Sequence, residues 1–578
     1  MGGYLRGRVR LGTEASPELL EAEIEQGGTS RGTRAACAGE PRRAGAVGTE
    51  VLGRLCDEVE TGGEPDLAEV GGEHALAVLS GPFLWLATDR LGTRPLYYAF
   101  LNGGGIAFDS DASRLAGAPG VDGGLEPQAL YDYFHFHMIP GPETLYRGVH
   151  RLPPGTCLRA GNGEERLTRY WQPQYRPRRA DPGGMQERFR DAVFAAVERS
   201  CAEGSVGAFL SGGTDSSTIV GAMSLLCGGR TPAYSIGFDV PGYDETDYAR
   251  EVARYFGIPH RVHYLSPSEV GEAVPQVAAW LDQPFGNASI VPAHQCARLA
   301  AEDGVQRLLG GDGGDELFGG NTRYAKQQVF ESFSGLPAPV KGSIEPVTAR
   351  LPAIGPLRKV RSYVAQARVP LPDRLESYNL LENLGPGQVL AGGMLEAVDI
   401  GHPRKLMRNA YAEAAARDYV NRLLALDLRF TLADNDLIKV RQASGMAGLS
   451  ATFPFLDDEV VALSLELPVG WKVRRNALRP FFKEALRDFL PRTVLNKSKQ
   501  GFGLPFGVWL AETDSLNRLA REALDGLVQR RILREGFAQQ LLKRELPRHP
   551  GYYGTFVWVL MMLGQWLDAH DVPRQPVL

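Results

Sequence analysis

The chain has 578 residues, of which 43% are hydrophobic and 23% are charged, and its formal net charge is −5. That length exceeds what one ordinary hydrophobic core organises, so two or more domains are expected. The composition is typical of a soluble globular protein, and the slight acidity gives no reason to expect nucleic acid as a partner. The six cysteines are scattered without the spacing of a zinc site, which favours free thiols in a reducing cytoplasm.

Neither end of the chain has the pattern of a membrane segment. The first residues, MGGYLRGRVR, contain no apolar run of the kind that a signal peptide needs. The most apolar late stretch, residues 555–567, is interrupted by Gly564 and Gln565 and is too short to span a bilayer. We therefore predict a cytoplasmic protein without a membrane partner, in which residues 555–567 form a core helix.

The first part of the chain has the pattern of a β-rich domain. Short apolar or alternating runs at residues 76–79, 83–87 and 95–100 lie between turn residues, as strands do. A segment rich in proline and arginine at residues 173–182 is the natural linker that ends this part. We predict an N-terminal domain over residues 1–175.

After the linker, stretches of helical period alternate with short apolar strands. The helices are expected at residues 185–198, 218–226 and 249–256, and the strands at 207–210 and 233–238. This alternation predicts an α/β domain with a parallel, doubly wound sheet. Beyond Leu375 the pattern is mostly helical, so we predict a second domain over residues 183–578 with a helical C-terminal part.

The sequence SGGTDSS at residues 211–217 follows an apolar strand and precedes a helical pattern. Glycines let the backbone approach an anion, hydroxyls donate hydrogen bonds, and a helix N-terminus directs free N–H groups at phosphates. Asp215 cannot itself attract phosphate, which suggests that it holds a Mg²⁺ ion bridging to one. A glycine-rich turn with a helix cap is the alternative, but the full string after a strand favours a pyrophosphate-binding loop.

A second glycine-rich loop carries three carboxylates. Residues 310–320 read GGDGGDELFGG and follow the apolar pair Leu308 and Leu309. One carboxylate can hold a second Mg²⁺, and another can face the reacting acyl group or the amine. The alternative, a calcium loop, does not fit the spacing of an EF-hand.

The two loops together resemble the PP-loop synthetases, and specifically the asparagine synthetase family. The segments that extend the resemblance are SIGF at 235–238, DE at 244–245, DQPFGN at 282–287, LIKV at 437–440, FPFLD at 453–457 and KSKQGFG at 497–503. The resemblance implies a C-terminal domain of the ATP-pyrophosphatase fold. It also implies that a carboxylate attacks the α-phosphate of ATP and that an amine then displaces AMP.

The resemblance further implies roles for single residues, with ATP and Mg²⁺ as cofactors. Asp312 takes the position of the family's catalytic acidic residue and would accept a proton from the attacking amine. Asp215 and Asp315 would hold the metal. The nucleotide would be bound by Leu210, Ser211, Gly212, Gly213, Asp215, Ser216, Ser217, Ile236, Gly237, Phe238 and Gly311.

One catalytic position departs from the family pattern. The family has a lysine that neutralises the leaving pyrophosphate where this chain has Arg479. Arginine keeps the charge and can bind phosphate through two nitrogens, but it is bulkier than lysine. We expect Arg479 to act in catalysis with altered geometry. The alternative is that Arg479 is a surface charge, with Lys472 and Lys483 nearby as substitutes.

The N-terminal domain resembles the glutaminase half of the same family, an N-terminal-nucleophile hydrolase with an αββα sandwich. The resemblance is carried by DRLGTRPLYY at 89–98, FDSD at 108–111 and GVHRLPPG at 148–155. In that half a cysteine exposed after Met1 attacks glutamine, whereas here Gly2 follows Met1 and cannot form a thioester. Cys37 and Cys56 are internal, the family's Asn-Gly-Glu oxyanion segment is not recognised, and the region before Asp89 is shorter than usual for the family. We predict a structural or docking domain without glutaminase activity.

His135 and His137 alternate as they would on a strand. Two histidines without a third ligand more often pack at a domain interface than bind a metal. Residues 325–369 have no interpretation beyond a role in substrate entry or a long helical excursion.

Without a glutaminase, the amine must be free ammonia or one already present on a substrate. The leading prediction is a ligase that joins a carboxylate of a small molecule or peptide to an amine, in specialised metabolism or peptide macrolactam formation. β-Lactam synthetases and lasso-peptide cyclases are the relatives that look like this. An ammonia-dependent asparagine synthetase and a non-catalytic ATP-binding scaffold are the alternatives, and a homodimer is left open.

Overall fold

The computed structural model describes residues 5–10, 18–24, 26–30, 33–178, 180–202, 204–227, 231–334, 337, 339–340, 348, 355–497 and 503–575. Gly2 and most of the KSKQGFG motif therefore lie outside the described residues. So does part of the uninterpreted segment 325–369.

The N-terminal domain is built from two antiparallel sheets. Its strands are β1 Leu5–Arg10, β2 Glu18–Ile24, β3 Gln26–Ser30, β4 Thr33–Gly39, β5 Arg42–Arg43, β6 Ala46–Val47, β7 His74–Ser80, β8 Phe83–Thr88, β9 Tyr97–Phe100, β10 Ile106–Asp109, β11 His150–Arg151, β12 Thr156–Gly161 and β13 Glu164–Arg169. One sheet has the order β11-β9-β10-β1-β2, and the other has the order β13-β12-β8-β7-β4-β3.

The alternation of side chains along a strand explains how these sheets form layers. On β4, Ala36 and Ala38 enter the core that both sheets share, together with Leu84 and Phe108. Ala35 and Cys37 of the same strand face the other way and pack against the helix Thr49–Glu60. The helix Pro127–Phe136 covers the outer face of the five-stranded sheet. The predicted αββα sandwich is therefore confirmed.

The second domain contains a parallel five-stranded sheet and a large helical part. Its strands are β14 Val206–Phe209, β15 Ala233–Gly237, β16 His260–Tyr264, β17 Arg307–Leu309, β18 Ser450–Thr452, β19 Val473–Arg474 and β20 Ala477–Leu478. The helices are Pro182–Cys201, Thr214–Leu226, Thr246–Phe256, Pro267–Trp280, Ile290–Glu302, Gly314–Phe318, Thr322–Ser334, Gly355–Ala367, Leu380–Leu384, Pro386–Val389, Gly392–Glu396, His402–Glu413, Tyr419–Leu426, Leu437–Met446, Asp458–Glu466, Val469–Lys472, Pro480–Ala485, Arg492–Asn496, Phe506–Glu512, Asp514–Gln529, Phe537–Gln540 and Pro550–Ala569. A π-helical segment, Asp427–Asp436, joins two of them.

The strand order of the parallel sheet is β16-β15-β14-β17-β18. The central strand β14 pairs with β15 on one side and with β17 on the other, so the winding direction reverses beside β14. In open parallel sheets ligands bind in the crevice at the carboxyl ends of the strands, where such a reversal occurs. The two glycine-rich loops of the sequence follow β14 and β17 directly, and this places both loops in the crevice.

The last helix, Pro550–Ala569, is buried over most of its length and packs in the core of the helical part. The prediction of a core helix at residues 555–567 is confirmed. Among the residues that the structure describes, no helix has the length and hydropathy required to cross a membrane.

The strand prediction for His135 and His137 was wrong. The segment is the end of the helix Pro127–Phe136, which begins with a proline and with Glu126 as its N-cap, and these signals outweigh a short alternation. His137 ends the helix in a left-handed conformation. Burial lowers the pKa of His137 to about 4, with a contribution from the neighbouring His135. His135 Nε2 lies 2.6 Å from Glu376 Oε2, so the segment contacts the second domain.

Candidate active site

The loop after β14 folds around its own hydroxyl groups. The backbone N–H of Ser211 donates to Ser216 Oγ at 3.1 Å, and the two serine Oγ atoms are 3.0 Å apart. Gly212 has a φ of +70°, and a Cβ there would come within 2.6 Å of Tyr248 Cβ, so only glycine fits. The helix Thr214–Leu226 begins directly after this turn, and its N-terminal N–H groups face the crevice of the sheet.

The loop after β17 lies against the first loop without space for a side chain between them. A Cβ on Gly311 would lie 2.7 Å from the backbone nitrogen of Ser216, and one on Gly314 would lie 2.2 Å from Asp215 Oδ1. The glycine-rich composition of both loops is thereby explained by their contact. This contact brings Asp215 close to Asp315.

A cavity of about 460 Å³ lies between the loops and the strand β15. Of the residues predicted from the sequence, those that line it are Leu210, Ser211, Asp215, Ser216, Ile236, Gly311, Asp312 and Asp315. Gly212, Gly213, Ser217, Gly237, Phe238 and Arg479 lie outside its wall. Ser217 and Phe238 are buried, and the Phe238 ring packs against Trp509 with the ring centroids 5.9 Å apart.

Arg479 connects the two loops through their carboxylates. Its Nη1 donates to Asp215 Oδ1 at 2.5 Å and to Thr214 Oγ1 at 3.1 Å, and its Nη2 donates to Asp315. Arg479 is only 3% exposed, so it is not a surface charge. Lys472 does not replace it, because Lys472 Nζ donates to Asn421 Oδ1 at 3.2 Å in a different part of the core.

The two carboxylates that Arg479 bridges are suitable ligands for a divalent cation. Mg²⁺ is usually bound by one or two carboxylates together with the phosphates of a substrate. Asp215 and Asp315 converge on one cationic group, which shows that both can bind the same positive charge. Among the described residues no cluster of three or more His, Cys, Asp or Glu side chains could hold a metal, so phosphate oxygens would have to complete the coordination.

Asp312, which also lines the cavity, lies beside a lysine that was not among the site residues predicted from the sequence. Lys439 Nζ is 2.7 Å from Asp436 Oδ1 and 3.9 Å from Asp312 Oδ1. Burial raises the pKa of Asp312 to about 6, and the ammonium group of Lys439 opposes that rise. Burial would lower the pKa of Lys439, but Asp436 and Asp312 outweigh it, and the pKa is raised. Lys439 is therefore a permanent cation next to a carboxylate of unusually high basicity.

A second lysine that was not among the predicted site residues lies beside the loop after β14. Lys497 Nζ is 3.0 Å from Glu245 Oε1 and donates to the carbonyl oxygen of Gly212 at 3.4 Å. Lys439 and Lys497 both belong to segments that carry the family resemblance, LIKV and KSKQGFG. Each lysine could have been identified from the sequence, because Lys439 is the one charged residue of the apolar motif LIKV and Lys497 opens the glycine-rich motif KSKQGFG.

The N-terminal domain offers no nucleophile among its described cysteines. Cys37 and Cys56 are buried, and burial raises the pKa of Cys56 to about 11, which disfavours the thiolate. The sequence Asn-Gly-Glu occurs at residues 162–164, where it lies at the exposed turn between β12 and β13, whereas the end of β4 reads Ala38-Gly39-Glu40. Gly39 has a φ of +98°, and a Cβ there would lie 2.3 Å from the carbonyl oxygen of Glu73.

Comparison with known proteins agrees with this architecture. The asparagine synthase family matches residues 188–568, and the glutamine amidotransferase domain family matches residues 39–171. A protein of Mycobacterium tuberculosis, provisionally named as a glutamine-hydrolysing asparagine synthetase, is 32% identical over 443 residues, which cover 74% of this chain and 66% of that protein. The chain thus spans slightly less than two thirds of this relative.

Two further relatives carry the same type of name. A glutamine-hydrolysing asparagine synthetase of Bacillus subtilis is 26% identical over 485 residues, covering 82% of this chain and 75% of that protein. A provisionally named one of Methanocaldococcus jannaschii is 28% identical over 408 residues, covering 68% of this chain and 76% of that protein. Since the asparagine synthase match extends over more than half of the sequence, the chain belongs to the asparagine synthase family.

Proposed function

We propose that this protein is an ATP-dependent, AMP-forming ligase that activates a carboxylate as its adenylate and transfers the acyl group to an amine without hydrolysing glutamine. One observation carries the proposal: Asp312, whose pKa is raised to about 6 by burial, lines the same cavity as the phosphate-binding loop. A general base is most effective when its pKa lies near the working pH. A carboxylate in this position suits the deprotonation of an amine next to a bound nucleotide.

In the adenylation step the first loop would bind the phosphates of ATP. The N–H groups at the start of the helix Thr214–Leu226 and the Ser211 hydroxyl would donate to the β- and γ-phosphates, and Ile236 would contact the adenine. Asp215 and Asp315 would hold Mg²⁺, which when bound supplies positive charge to the phosphate oxygens. Arg479 would neutralise the departing pyrophosphate, since a guanidinium binds phosphate oxygens in pairs.

In the second step Asp312 would accept the proton that the amine loses as it attacks the acyl carbon. Lys439, next to Asp312, would keep this carboxylate ionised and supply positive charge near the carbonyl oxygen of the acyl group. Asp436 holds Lys439 in place from its other side. Asp312, Lys439 and Asp436 thus form one charged cluster, and the transfer step would require all three side chains.

The proposal that glutamine is not the amine source is supported by the N-terminal domain. The described cysteines of the domain, Cys37, Cys56 and Cys157, are buried, and burial raises the pKa of Cys56 and of Cys157, which disfavours their thiolates. The substrate would therefore be a small molecule or peptide that brings its own amine, in specialised metabolism or macrolactam formation. Ammonia-dependent synthesis of asparagine is the second candidate, because the relatives of Mycobacterium tuberculosis and Bacillus subtilis are named as asparagine synthetases, of the glutamine-hydrolysing type.

The experiment is a measurement of AMP and amide products from the full-length protein with Mg-ATP. Aspartate is supplied with ammonium in one reaction and with glutamine in another, and a third series contains acids that carry their own amine, including peptides with an N-terminal amine and an internal Asp or Glu. The proposal expects AMP only in the third series. The Asp312→Asn variant is the control, since it should bind ATP and yet form no amide.

The outcomes separate the candidates. Asparagine formed from ammonium but not from glutamine identifies an ammonia-dependent asparagine synthetase. Asparagine formed from glutamine contradicts the proposed loss of glutaminase. ATP binding without AMP formation in any series, in the wild type and in Asp312→Asn alike, would identify a non-catalytic ATP-binding scaffold.

A further inference from the structure

The position of Arg479 in the structure is the one that a metal ion would need. Its guanidinium lies between Asp215 and Asp315, with hydrogen bonds to both carboxylates, and it is almost fully buried. Each carboxylate thereby directs an oxygen at a nitrogen of Arg479. A cation bound by both carboxylates would therefore compete with Arg479 for the same negative charges.

The chain around Arg479 holds this arrangement in place. Arg479 has a φ of +55°, in the left-handed region that side chains rarely adopt, and its backbone N–H donates to the carbonyl oxygen of Lys472 at 2.8 Å. The guanidinium lies over the Phe482 ring, 5.0 Å from its centroid. A Cβ on Gly320 would come within 2.0 Å of Arg479 Nε, so glycine is needed there to make room. Several separate features thus accommodate one side chain between the carboxylates.

We propose that Arg479 is an internal counter-ion that competes with the divalent cation for Asp215 and Asp315, and that the metal binds fully only when the guanidinium moves to the phosphates of ATP. The proposal rests on the proposed function only for the assignment of Asp215 and Asp315 as metal ligands. Two carboxylates and one guanidinium leave a net charge of −1, whereas the carboxylates alone carry −2, and a divalent cation is attracted more strongly to the latter.

Replacement of the Arg479 guanidinium by the metal ion at the two carboxylates would couple metal binding to nucleotide binding. Without nucleotide, the metal must displace Arg479 from two hydrogen-bonded ion pairs and leave its charge buried without a carboxylate partner, which is unfavourable. With ATP present, the phosphates offer Arg479 new acceptors, so the displacement costs little. Removal of Arg479 should therefore strengthen metal binding in the free protein and weaken nucleotide binding, two changes of opposite sign.

The test measures Mn²⁺ binding to the full-length, nucleotide-free protein by the loss of the free-ion signal in electron paramagnetic resonance. Arg479→Met should bind Mn²⁺ at least about tenfold more tightly than the wild type. Arg479→Lys should lie between the two, because a single ammonium group engages the carboxylates less completely. In the presence of Mg²⁺, the affinity for a non-hydrolysable ATP analogue should fall in Arg479→Met.

Arg487→Met is the matched control. Arg487 lies just beyond the same helix, is 63% exposed and pairs only with Glu484 among the described residues, so its removal should leave Mn²⁺ affinity unchanged. Equal Mn²⁺ affinity in the wild type and in both Arg479 variants would overturn the proposal, and so would a loss of affinity in Arg479→Met. If Arg479→Met does not fold, the comparison with Arg479→Lys decides. The readout does not depend on amide formation, so failure of the proposed function would be seen separately.

Discussion

At the scale of single residues, the burial of Asp312 makes this carboxylate more basic and also lowers the stability of the fold. An aspartate whose pKa is raised in the folded state is more easily ionised in the unfolded chain, so ionisation favours unfolding. Burial raises the pKa of Asp312 from 3.8 to about 6. The folded state therefore binds more protons than the unfolded state between these values, and stability falls as the pH rises through this window. Above this pH window the loss of stability is complete, and below it no stability is lost.

We predict that Asp312→Asn abolishes amide formation but stabilises the fold at neutral pH. The gain in the free energy of unfolding should be about 1–3 kcal/mol at about pH 8 and should shrink by more than half at about pH 4.5, where the folded wild-type protein keeps Asp312 protonated. Chemical denaturation of both proteins at the two pH values measures it. Asp525→Asn, an exposed site with the same change in charge, should show no such difference. Equal stability of Asp312→Asn and the wild type at both pH values would contradict the prediction.

At the scale of elements, the candidate site depends on the close contact between the loop after β14 and the loop after β17. At Gly311 the obstacle is the backbone of the other loop, since a Cβ there would lie 2.7 Å from the backbone nitrogen of Ser216 and 2.9 Å from the carbonyl carbon of Asp215. Backbone atoms cannot move aside as the end of a flexible side chain can. An added methyl group must therefore push the two loops apart.

We predict that Gly311→Ala weakens nucleotide binding by roughly ten- to a hundredfold, because overpacking of this size costs about 1–3 kcal/mol and the loops carry the nucleotide ligands. Titration with a fluorescent ATP analogue measures the affinity. Gly470→Ala is the matched control, since a Cβ on Gly470 meets nothing within 4 Å. Unchanged affinity in Gly311→Ala would show that the loops separate without disturbing the nucleotide.

The elements also show what the sequence could predict. The strand–loop–helix unit at residues 206–226 was predictable because a strand pattern, glycines, hydroxyls and a helical period all agree locally. Arg479 was singled out from the sequence as a catalytic residue. Its hydrogen bonds to Asp215 and Asp315 were not predicted, because these residues are far apart in the chain. Lys439 was missed for the same reason: only the fold brings its helix beside Asp312.

At the scale of the whole molecule, charged pairs join the two domains. Exposed or half-buried pairs between them include Arg90 with Asp458, Arg42 with Asp457, Arg307 with Glu40 and Arg441 with Glu73. Arg151 and Asp434 form a fully buried pair, with Nη1 2.8 Å from Oδ1, and Arg151 Nη2 also donates to the carbonyl oxygen of Ala433. Burial raises the pKa of Asp434, and Arg151 opposes that rise. The pair thus anchors the π-helical segment Asp427–Asp436, which leads directly to Lys439.

We expect this anchoring to give the N-terminal domain a structural role, whichever amine the enzyme uses. We predict that Arg151→Met, which leaves Asp434 buried without its partner, lowers the free energy of unfolding by about 3–5 kcal/mol and reduces ligase activity through Lys439. Arg151→Met/Asp434→Leu should recover most of the stability, since a buried pair is often replaceable by apolar groups.

Arg169→Met is the control: Arg169 and Glu413 also join the domains but are 44% and 53% exposed, so its loss should cost less than about 1 kcal/mol. Urea denaturation and the rate of AMP formation measure both effects, and equal costs for Arg151→Met and Arg169→Met would show that the N-terminal domain is only tethered to the synthetase domain.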